Sequence, residues 1–294
     1  MPRLRITHVT QYGYRSRVQL LAHRLMLRPQ DSHDLRLHAA TLTVDPPPGI
    51  TRWAHDVFDN SVCLLEWPDA VRSDHLSIVS DLELTHFPGG TGLPRATLDP
   101  MAEMFPFAYA ADEVPDLARL AERQVADPGR MVEGWVRQFT GGTRPTLRLL
   151  EAMTQAVHGG FSYSQRDAEG TQTPAETLAR GSGTCRDFAL LMMEAARSLG
   201  LAARFVTGYL YDTGTEMAGG GATHAWCSIY LPGAGWVEYD PTNGLIAGTN
   251  LVRVGSTRMP EQAVPVAGGF VGNSDDALGL SVNVTVALLA DAVG

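Results

Sequence analysis

The stretch between Gly181 and Gly200, GSGTCRDFALLMMEAARSLG, constrains the fold most because it joins a glycine-rich loop to a strongly apolar helix. Ser182 or Thr184 can cap this helix. We expect it to run over residues 186–199, since a glycine follows at once. Its apolar side chains recur at helical spacing and cover most of its surface. The positions expected to face solvent are Arg186, Asp187, Glu194, Arg197 and Ser198. The pattern therefore predicts a central helix.

Cys185 stands where the glycine-rich loop meets the first turn of this helix. Backbone N–H groups without a helical partner and the positive end of the helix dipole both favour a thiolate there. A nucleophile is activated in this way. A free cysteine is, however, more often a small residue of the core. The helix alone leaves both interpretations open.

Length and composition predict a two-domain protein of ordinary globular character. A chain of 294 residues is longer than most domains that fold around a single hydrophobic core. The apolar fraction of 44% and the charged fraction of 19% suit a chain that buries a large interior. The formal net charge of −9 disfavours a nucleic-acid partner, and the sequence has no basic stripe that would recruit one.

The cysteines and the start of the chain predict the compartment. Cys63, Cys185 and Cys227 are far apart and form neither a disulfide framework nor a CxxC motif, which favours a reducing environment. The opening residues MPRLRITHVTQYGY lack the apolar segment of a leader. No run approaches the roughly 20 apolar residues of a membrane span. We therefore expect a cytoplasmic protein without a membrane partner.

Short alternating segments separated by turn residues fill the chain up to about Phe87. They predict antiparallel sheets. We assign residues 1–90 to an N-terminal β-rich domain, 91–111 to a linker and 112–294 to a second domain, because a Pro- and Gly-rich segment at 88–94 precedes helix-forming sequence. The histidines of the first part have no metal-ligand spacing, and no metal site is predicted. They are His8, His23, His33, His38, His55, His75 and His86.

The second domain is predicted to place helices at about 112–126, 131–139 and 146–158 and a short helix from residue 173, ahead of the central helix. Strands should follow at 203–210, 223–231 and 236–240, with a glycine-rich loop containing Gly214 and Gly219 to Gly221 before the second of them. The last strand, SVNVTVAL, is expected to complete the sheet of this domain. It could instead pair with a second subunit, so the oligomeric state stays open.

His224 and Asp240 share one face of the predicted hairpin if Tyr230 pairs with Trp236. Such diagonal neighbours have α-carbons about 7 to 8 Å apart, within reach of an imidazole–carboxylate hydrogen bond. A slip of one residue would separate them onto opposite faces. Trp226 and Trp236 lie on the His224 face and either border a cleft or pack in the core.

Together, Cys185, His224 and Asp240 supply a nucleophile, a base for it and a group that orients the base. A zinc site made of Cys185, His224 and Cys227 has suitable ligand types. It is disfavoured because Cys227 should face away from His224 on an alternating strand. The combination of residues thus favours thiol catalysis.

The strings GSGTCRDFALLMMEAARSLGLAARFVTGYL and THAWCSIYLPGAGWVEYDPTNG resemble the core signature of the transglutaminase-like superfamily, in the bacterial form with a preceding β-rich domain. The close match spans Tyr163 to Gly244. The resemblance implies an α+β, papain-like fold in which a central helix packs on an antiparallel sheet. It also implies a Cys185 nucleophile, a His224 base and an orienting Asp240. Thr184 and the pair Cys227-Ser228 depart from the family's usual residues, which leaves the substrate pocket undefined.

The function expected from this resemblance is acyl transfer on an amide bond of a peptide or protein. The superfamily includes crosslinkers, cysteine proteases, deamidases and amidases, so the fold does not fix the substrate. Hydrolysis, as in a cysteine protease or amidase, is preferred. Protein-glutamine transamidation and a noncatalytic binding scaffold are the alternatives. No cofactor is expected, and the sequence contains no calcium motif of the EF-hand type that would indicate metal-gated crosslinking.

Overall fold

The computed structural model describes residues 1–88, 98–164, 170–211, 223–246 and 248–289. Most of the Pro- and Gly-rich segment at 88–94 lies outside these residues, and so does the predicted glycine-rich loop with Gly214 and Gly219 to Gly221. The division into 1–90, 91–111 and 112–294 stays a prediction. Buried apolar side chains from both parts of the chain, among them Ile6, Leu84, Met192 and Ile229, belong to one continuous core cluster.

The elements follow the predicted order closely. The strands are β1 (Arg3–Leu20), β2 (His23–Leu25), β3 (Leu35–Asp45), β4 (Ile50–His55), β5 (Ser61–Glu66), β6 (Ser73–His86), β7 (Met104–Phe105), β8 (Arg144–Pro145), β9 (Ser162–Tyr163), β10 (Ser182–Gly183), β11 (Ala203–Leu210), β12 (Thr223–Leu231), β13 (Gly235–Asp240), β14 (Leu245–Ile246), β15 (Leu251–Thr257), β16 (Val266–Ala267), β17 (Phe270–Val271) and β18 (Ala277–Leu289). The α-helices are α1 (Val114–Ala121), α2 (Met131–Arg137), α3 (Thr146–Gly160), α4 (Pro174–Arg180) and α5 (Cys185–Ser198). None of the helices in the described ranges has both the length and the apolarity to cross a membrane.

Two antiparallel sheets make up the N-terminal part. One has the order β17-β1-β6-β3, with β18 also paired to β1, and the other has the order β16-β2-β5-β4. Every second side chain of β1 from Leu4 to Thr10 is buried, because successive side chains of a strand point to opposite faces. The alternation in the sequence thus marks the inner face of this sheet.

The last strand, β18, belongs to a different sheet from the one expected. β18 pairs antiparallel with β1, from Arg3↔Leu289 to Tyr14↔Ala277, and does not complete the second domain's sheet. The short strands β16 and β17 likewise pair with β2 and β1. An alternating strand can pair with any compatible edge, so its sequence does not say which sheet it joins. The end of the chain therefore closes the N-terminal sheets.

A five-stranded sheet of order β14-β13-β12-β11-β15 supports the central helix. α5 lies against it, and Ala189, Met192 and Ala196 share the main core cluster with Cys227 and Ile229 of β12. The family resemblance implied this arrangement of a helix on an antiparallel sheet, and the fold class is confirmed. All pairings within this sheet are antiparallel.

The expectation that the polar positions of α5 face solvent is wrong for Asp187, Glu194 and Arg197, which are buried. Arg197 Nη1 donates to Glu194 Oε1 at 2.8 Å, and Arg123 Nε donates to the other carboxylate oxygen at 3.2 Å. Arg197 also donates to the carbonyls of Leu120, Ala203 and Arg258. Buried charges are tolerated when they are paired and hydrogen-bonded in this way. A helix wheel alone cannot reveal such partners.

His8 of β1 joins the N-terminal sheet to the second domain. Its Nδ1 lies 3.2 Å from the hydroxyl of Tyr209, and its Nε2 lies 3.1 Å from Thr10 Oγ1. The side chain is almost fully buried. Burial lowers the pKa of this imidazole from 6.5 to about 4.

This low pKa predicts acid destabilisation. Below pH 6.5 the unfolded chain binds a proton on His8 that the folded protein does not bind, so the free energy of unfolding falls as the pH falls toward 4. The loss from this group between pH 7.5 and 4.5 is about 2.5 kcal/mol. His8→Gln, which keeps a polar side chain, is expected to remove that part of the pH dependence. Urea unfolding at both pH values measures it, and an unchanged difference in the variant would contradict the assignment.

Candidate active site

The backbone ahead of Cys185 is fixed by the buried carboxylate of Asp187. Oδ2 accepts hydrogen bonds from Thr184 N at 2.8 Å and Thr184 Oγ1 at 3.0 Å. The amide groups of Gln172 also donate to this carboxylate, from N at 2.7 Å and from Nε2 at 2.9 Å. Thr184 therefore occupies the N-cap position, and the loop that leads to the thiol is tied to the segment before α4.

Gly183 is required by close packing in the same loop. A β-carbon at this position would lie 2.9 Å from Asp187 Cβ and 3.1 Å from Gln172 Nε2. Real β-carbons do not approach so closely. The glycine therefore lets the Asp187 carboxylate lie against the backbone that delivers Cys185.

His224 and Asp240 form a buried pair on adjacent strands. Tyr230 pairs with Trp236 across the hairpin, which is the condition on which the predicted contact depended. The register brings His224 Nε2 to 2.8 Å from Asp240 Oδ2, and both side chains are fully buried. The conditional geometry of the sequence analysis is thus realised in the fold.

Asp240 is held by the turn that follows it. Its Oδ1 accepts from the backbone N–H groups of Thr242 at 3.0 Å and Asn243 at 3.3 Å, and Oδ2 accepts from Asn243 Nδ2 at 2.8 Å. Asn243 is not among the site residues predicted from the sequence. A signal was present, because an Asp followed three residues later by Asn in DPTNG can form such a side-chain turn.

The charges of this pair stabilise each other. Burial acts to lower the pKa of His224, but the charge and hydrogen bond of Asp240, with contact from Cys185, outweigh it and raise that pKa well above 6.5. Burial likewise acts to raise the pKa of Asp240, and the opposing effects of His224 and Asn243 hold it below its ordinary value. The pair is therefore an imidazolium and a carboxylate at neutral pH.

The second ring nitrogen of His224 is left over from the pair with Asp240. This buried Nδ1 makes no hydrogen bond with any of the described residues, while Cys185 contributes to the raised pKa of the ring. Nδ1 is thus free to exchange a proton with a neighbouring group. Tyr163, 40% exposed, lies near the same centre. Burial and the negative charges of Cys185, Asp187 and Asp240 raise its pKa to about 12.

Trp226 and Cys227 are both buried side chains of β12. Trp226 is completely buried and stacks on His224 with ring centroids 5.9 Å apart, so it packs in the core and does not border an open cleft. Cys227 is buried on the α5 side, and its thiol lies 3.5 Å from the carbonyl oxygen of Tyr239. Within the described ranges, no group of three or more His, Cys, Asp or Glu side chains is arranged to hold a metal ion.

The raised pKa of His224 predicts a specific response to Asp240→Asn. Without the carboxylate, burial dominates, and the pKa of His224 is expected to fall by at least about one unit. Histidine ring resonances followed by NMR against pH measure this. His75 is the internal control because its own exposed partners, Asp74 and Asp45, raise its pKa independently. An unchanged His224 titration would show that Asp240 does not hold the charge.

Two family models match the chain. A model described as the transglutaminase-like superfamily matches residues 133–241, which include α5 and the His224–Asp240 hairpin. A model described as the bacterial transglutaminase-like N-terminal region matches residues 4–85, which form most of the N-terminal sheets. The two matched regions agree with the order of parts that the resemblance implied.

Similar proteins span nearly the whole chain. An uncharacterized protein of Mycobacterium tuberculosis is 28% identical over 97% of this chain and 92% of its own length. The same figures hold for an uncharacterized protein of Mycobacterium bovis. The crystal structure of a candidate cysteine protease from Cytophaga hutchinsonii superposes on this chain with a TM-score of 0.69 and 18% sequence identity. The superposition covers 98% of this chain and 91% of the Cytophaga hutchinsonii chain. At that identity the likeness establishes the shared fold alone.

Proposed function

The chain belongs to the transglutaminase-like superfamily, and on that premise we propose that it catalyses thiol-dependent acyl transfer on amide bonds of a peptide or protein. Cys185 is the nucleophile, His224 the general base and acid, and Asp240 the group that orients the imidazole. The observation that carries the proposal is the buried His224–Asp240 pair, 2.8 Å apart, whose Nδ1 has no partner among the described residues and whose pKa is raised in part by Cys185 at the start of α5.

The proposed reaction begins with attack of the Cys185 sulfur on the amide carbonyl carbon. Backbone N–H groups at the start of α5, including that of Cys185, are suited to receive the oxyanion because the first N–H groups of a helix have no helical partner. His224 gives its Nδ1 proton to the amine as the C–N bond breaks, which leaves a thioester on Cys185. Asp240 keeps Nε2 protonated throughout and so fixes the tautomer.

Hydrolysis is the preferred second half of the reaction. A water gives a proton to His224 Nδ1 and adds to the thioester carbonyl, and collapse releases a carboxylic acid and the Cys185 sulfur. An amine in place of water would give transamidation. The name of the Cytophaga hutchinsonii neighbour is in line with hydrolysis, but the shared fold does not choose between the two acceptors.

The first test is the reactivity of the thiols. Cys63 and Cys227 are completely buried, and burial raises the pKa of Cys63 to about 11 and that of Cys227 further still. Cys185 is 7% exposed at the start of a helix. Iodoacetamide near pH 7 is expected to modify Cys185 at least about 100-fold faster than the other two. Peptide mass analysis of timed samples measures this, and equally slow reaction of all three thiols would favour a noncatalytic scaffold.

The second test identifies the acceptor. Wild-type protein is incubated with a panel of peptides, including glutamine peptides, with and without an added primary amine. Protein alkylated on Cys185 is the matched blank. Peptide cleavage or ammonia release without the amine indicates hydrolysis, and incorporation of the amine indicates transamidation. Reactive Cys185 without turnover on any peptide would contradict the proposed amide substrate.

A further inference from the structure

A cavity of about 480 Å³ lies between the N-terminal part and the sheet that carries the candidate active site. Residues 30–35, 58–60 and 86–88 line one side, and side chains of β11, β13 and β15 line the other. Its volume falls within the range of small-molecule sites, about 300 to 1,000 Å³. Cys185, His224 and Asp240 are not among the lining residues. The cavity is therefore distinct from the candidate active site.

Arg204 is the preorganised cation of this cavity. Its guanidinium lies over the Trp236 ring at 4.3 Å from the centroid, and its Nε donates to Ser228 Oγ at 2.9 Å. Among the described residues, its two terminal amino groups make no hydrogen bond and no ion pair with a carboxylate. The stacking and the Nε bond fix the plane of the guanidinium, which leaves its outer edge for a ligand.

The second arginine of the cavity is already paired. Arg253 forms two ion pairs: its Nη2 lies 3.4 Å from Asp34 Oδ2, and its Nη1 lies 3.5 Å from Glu238 Oε1. Burial lowers the pKa of Arg204 to about 10; the positive charge of Arg253 adds to this effect, and the negative charge of Glu238 acts against it. A bound anion would offset both the burial of the Arg204 charge and its repulsion by Arg253. A planar carboxylate can accept two parallel hydrogen bonds from the free edge of Arg204.

The opposite wall is acidic. Asp31, Asp34 and Asp59 line it. Arg253 already pairs with Asp34 and Glu238, so Asp31 and Asp59 are the lining carboxylates that no arginine of this cavity pairs with. A simple anion would meet repulsion from this wall, whereas a ligand that also carries a positive charge would be attracted to it. The aromatic rings of Phe58, Phe87 and Trp236 offer apolar surface between the two ends.

We propose that this cavity binds a zwitterionic ligand of the amino-acid type, a free amino acid or a short peptide. The ligand's carboxylate lies on the outer edge of Arg204, and its ammonium group faces Asp31. The inference is independent of the acyl-transfer reaction, because it uses neither Cys185 nor its partners. Its failure would leave the proposed catalysis untouched.

Calorimetric titration of the full chain tests the proposal. The probes are a panel of free amino acids and dipeptides. The tightest binder is then compared with its N-acetyl form, which lacks the ammonium group, and with its C-terminal amide, which lacks the carboxylate. Acetate and inorganic phosphate report binding of a simple anion. Arg204→Gln and Arg204→Lys test the carboxylate end.

Arg148→Gln is the control variant, because Arg148 is an exposed arginine of α3 that does not line this cavity. We expect either blocked form of the ligand to bind the wild type at least about 10-fold more weakly than the free ligand, since a charge-assisted pair is lost. The free ligand should bind Arg204→Gln more weakly by a similar factor and Arg204→Lys with intermediate affinity. Its affinity for Arg148→Gln should stay within about twofold of that for the wild type.

Three results would overturn the proposal: no probe binds the wild type, a blocked form or simple anion binds as tightly as the zwitterion, or folded Arg204→Gln keeps full affinity. If Arg204→Gln does not fold, the comparison of free and blocked ligands on the wild type decides alone. If dipeptides bind more tightly than amino acids, the ligand is a peptide. If amino acids bind more tightly than dipeptides, the ligand is a free amino acid. Either preference supports the zwitterion site.

Discussion

Replacing Cys185 with alanine is expected to abolish Cys185-dependent amide turnover, a loss of about 10⁴-fold or more, because the thioester cannot form without the thiol. The substitution removes one sulfur from a side chain that is 7% exposed and leaves the Thr184–Asp187 hydrogen bonds in place. The fold should therefore survive. Initial rates on the peptide that the substrate panel identifies measure the effect, and circular dichroism confirms folding.

Cys227→Ala provides the matched control for this experiment. Cys227 is also a free, buried cysteine of the second domain, but its thiol lies toward the Tyr239 carbonyl and away from His224. Its replacement is expected to lower stability by about 1 kcal/mol through lost packing and to keep turnover within a few-fold of the wild type. Equal losses of turnover in the two variants would point to a general effect on the fold and would contradict a nucleophilic role for Cys185.

Gly208→Ala is expected to cause a large loss of stability by adding a single methyl group. A β-carbon at this position of β11 would lie 2.1 Å from the carbonyl oxygen of Val252 and 2.7 Å from the ring of Trp226. The first neighbour is backbone of the adjacent strand β15 and cannot move without breaking the ladder. Since Gly208 also pairs with His224, the candidate active site would be displaced as well. We expect a loss of at least about 3 kcal/mol in the free energy of unfolding.

Urea unfolding followed by tryptophan fluorescence measures this loss. Gly134→Ala is the control, because a β-carbon at Gly134 in α2 has no neighbour within 4 Å. Alanine favours a helix over glycine, so this variant should gain up to about 1 kcal/mol. If Gly208→Ala unfolded at the wild-type urea concentration, the close approach of β15 and Trp226 to Gly208 would be wrong.

Sequence patterns predicted the local elements of this protein well, because their causes are local. Helical spacing of apolar residues and a capping threonine define α5 to within one residue at each end. Alternation of strand-forming residues defines β12 and β13, and the register in which Tyr230 pairs with Trp236 is one that it allows. That register brings His224 to Asp240, and so the sequence also predicted the central contact of the candidate site. The cytoplasmic location and the absence of a nucleic-acid partner stay predictions.

Long-range contacts decided what these patterns could not. The closing strand β18 joined β1 of the N-terminal sheet, because an alternating strand fits more than one edge. Glu194 and Arg197 became core residues, because Arg123 and distant carbonyls satisfy their charges. Arg204 faces a cavity whose opposite wall comes from residues 30–35, about 170 positions away in the chain. Periodicity along the chain determined which face of each element is buried, whereas only the packing of elements distant in sequence determined which partners those faces meet.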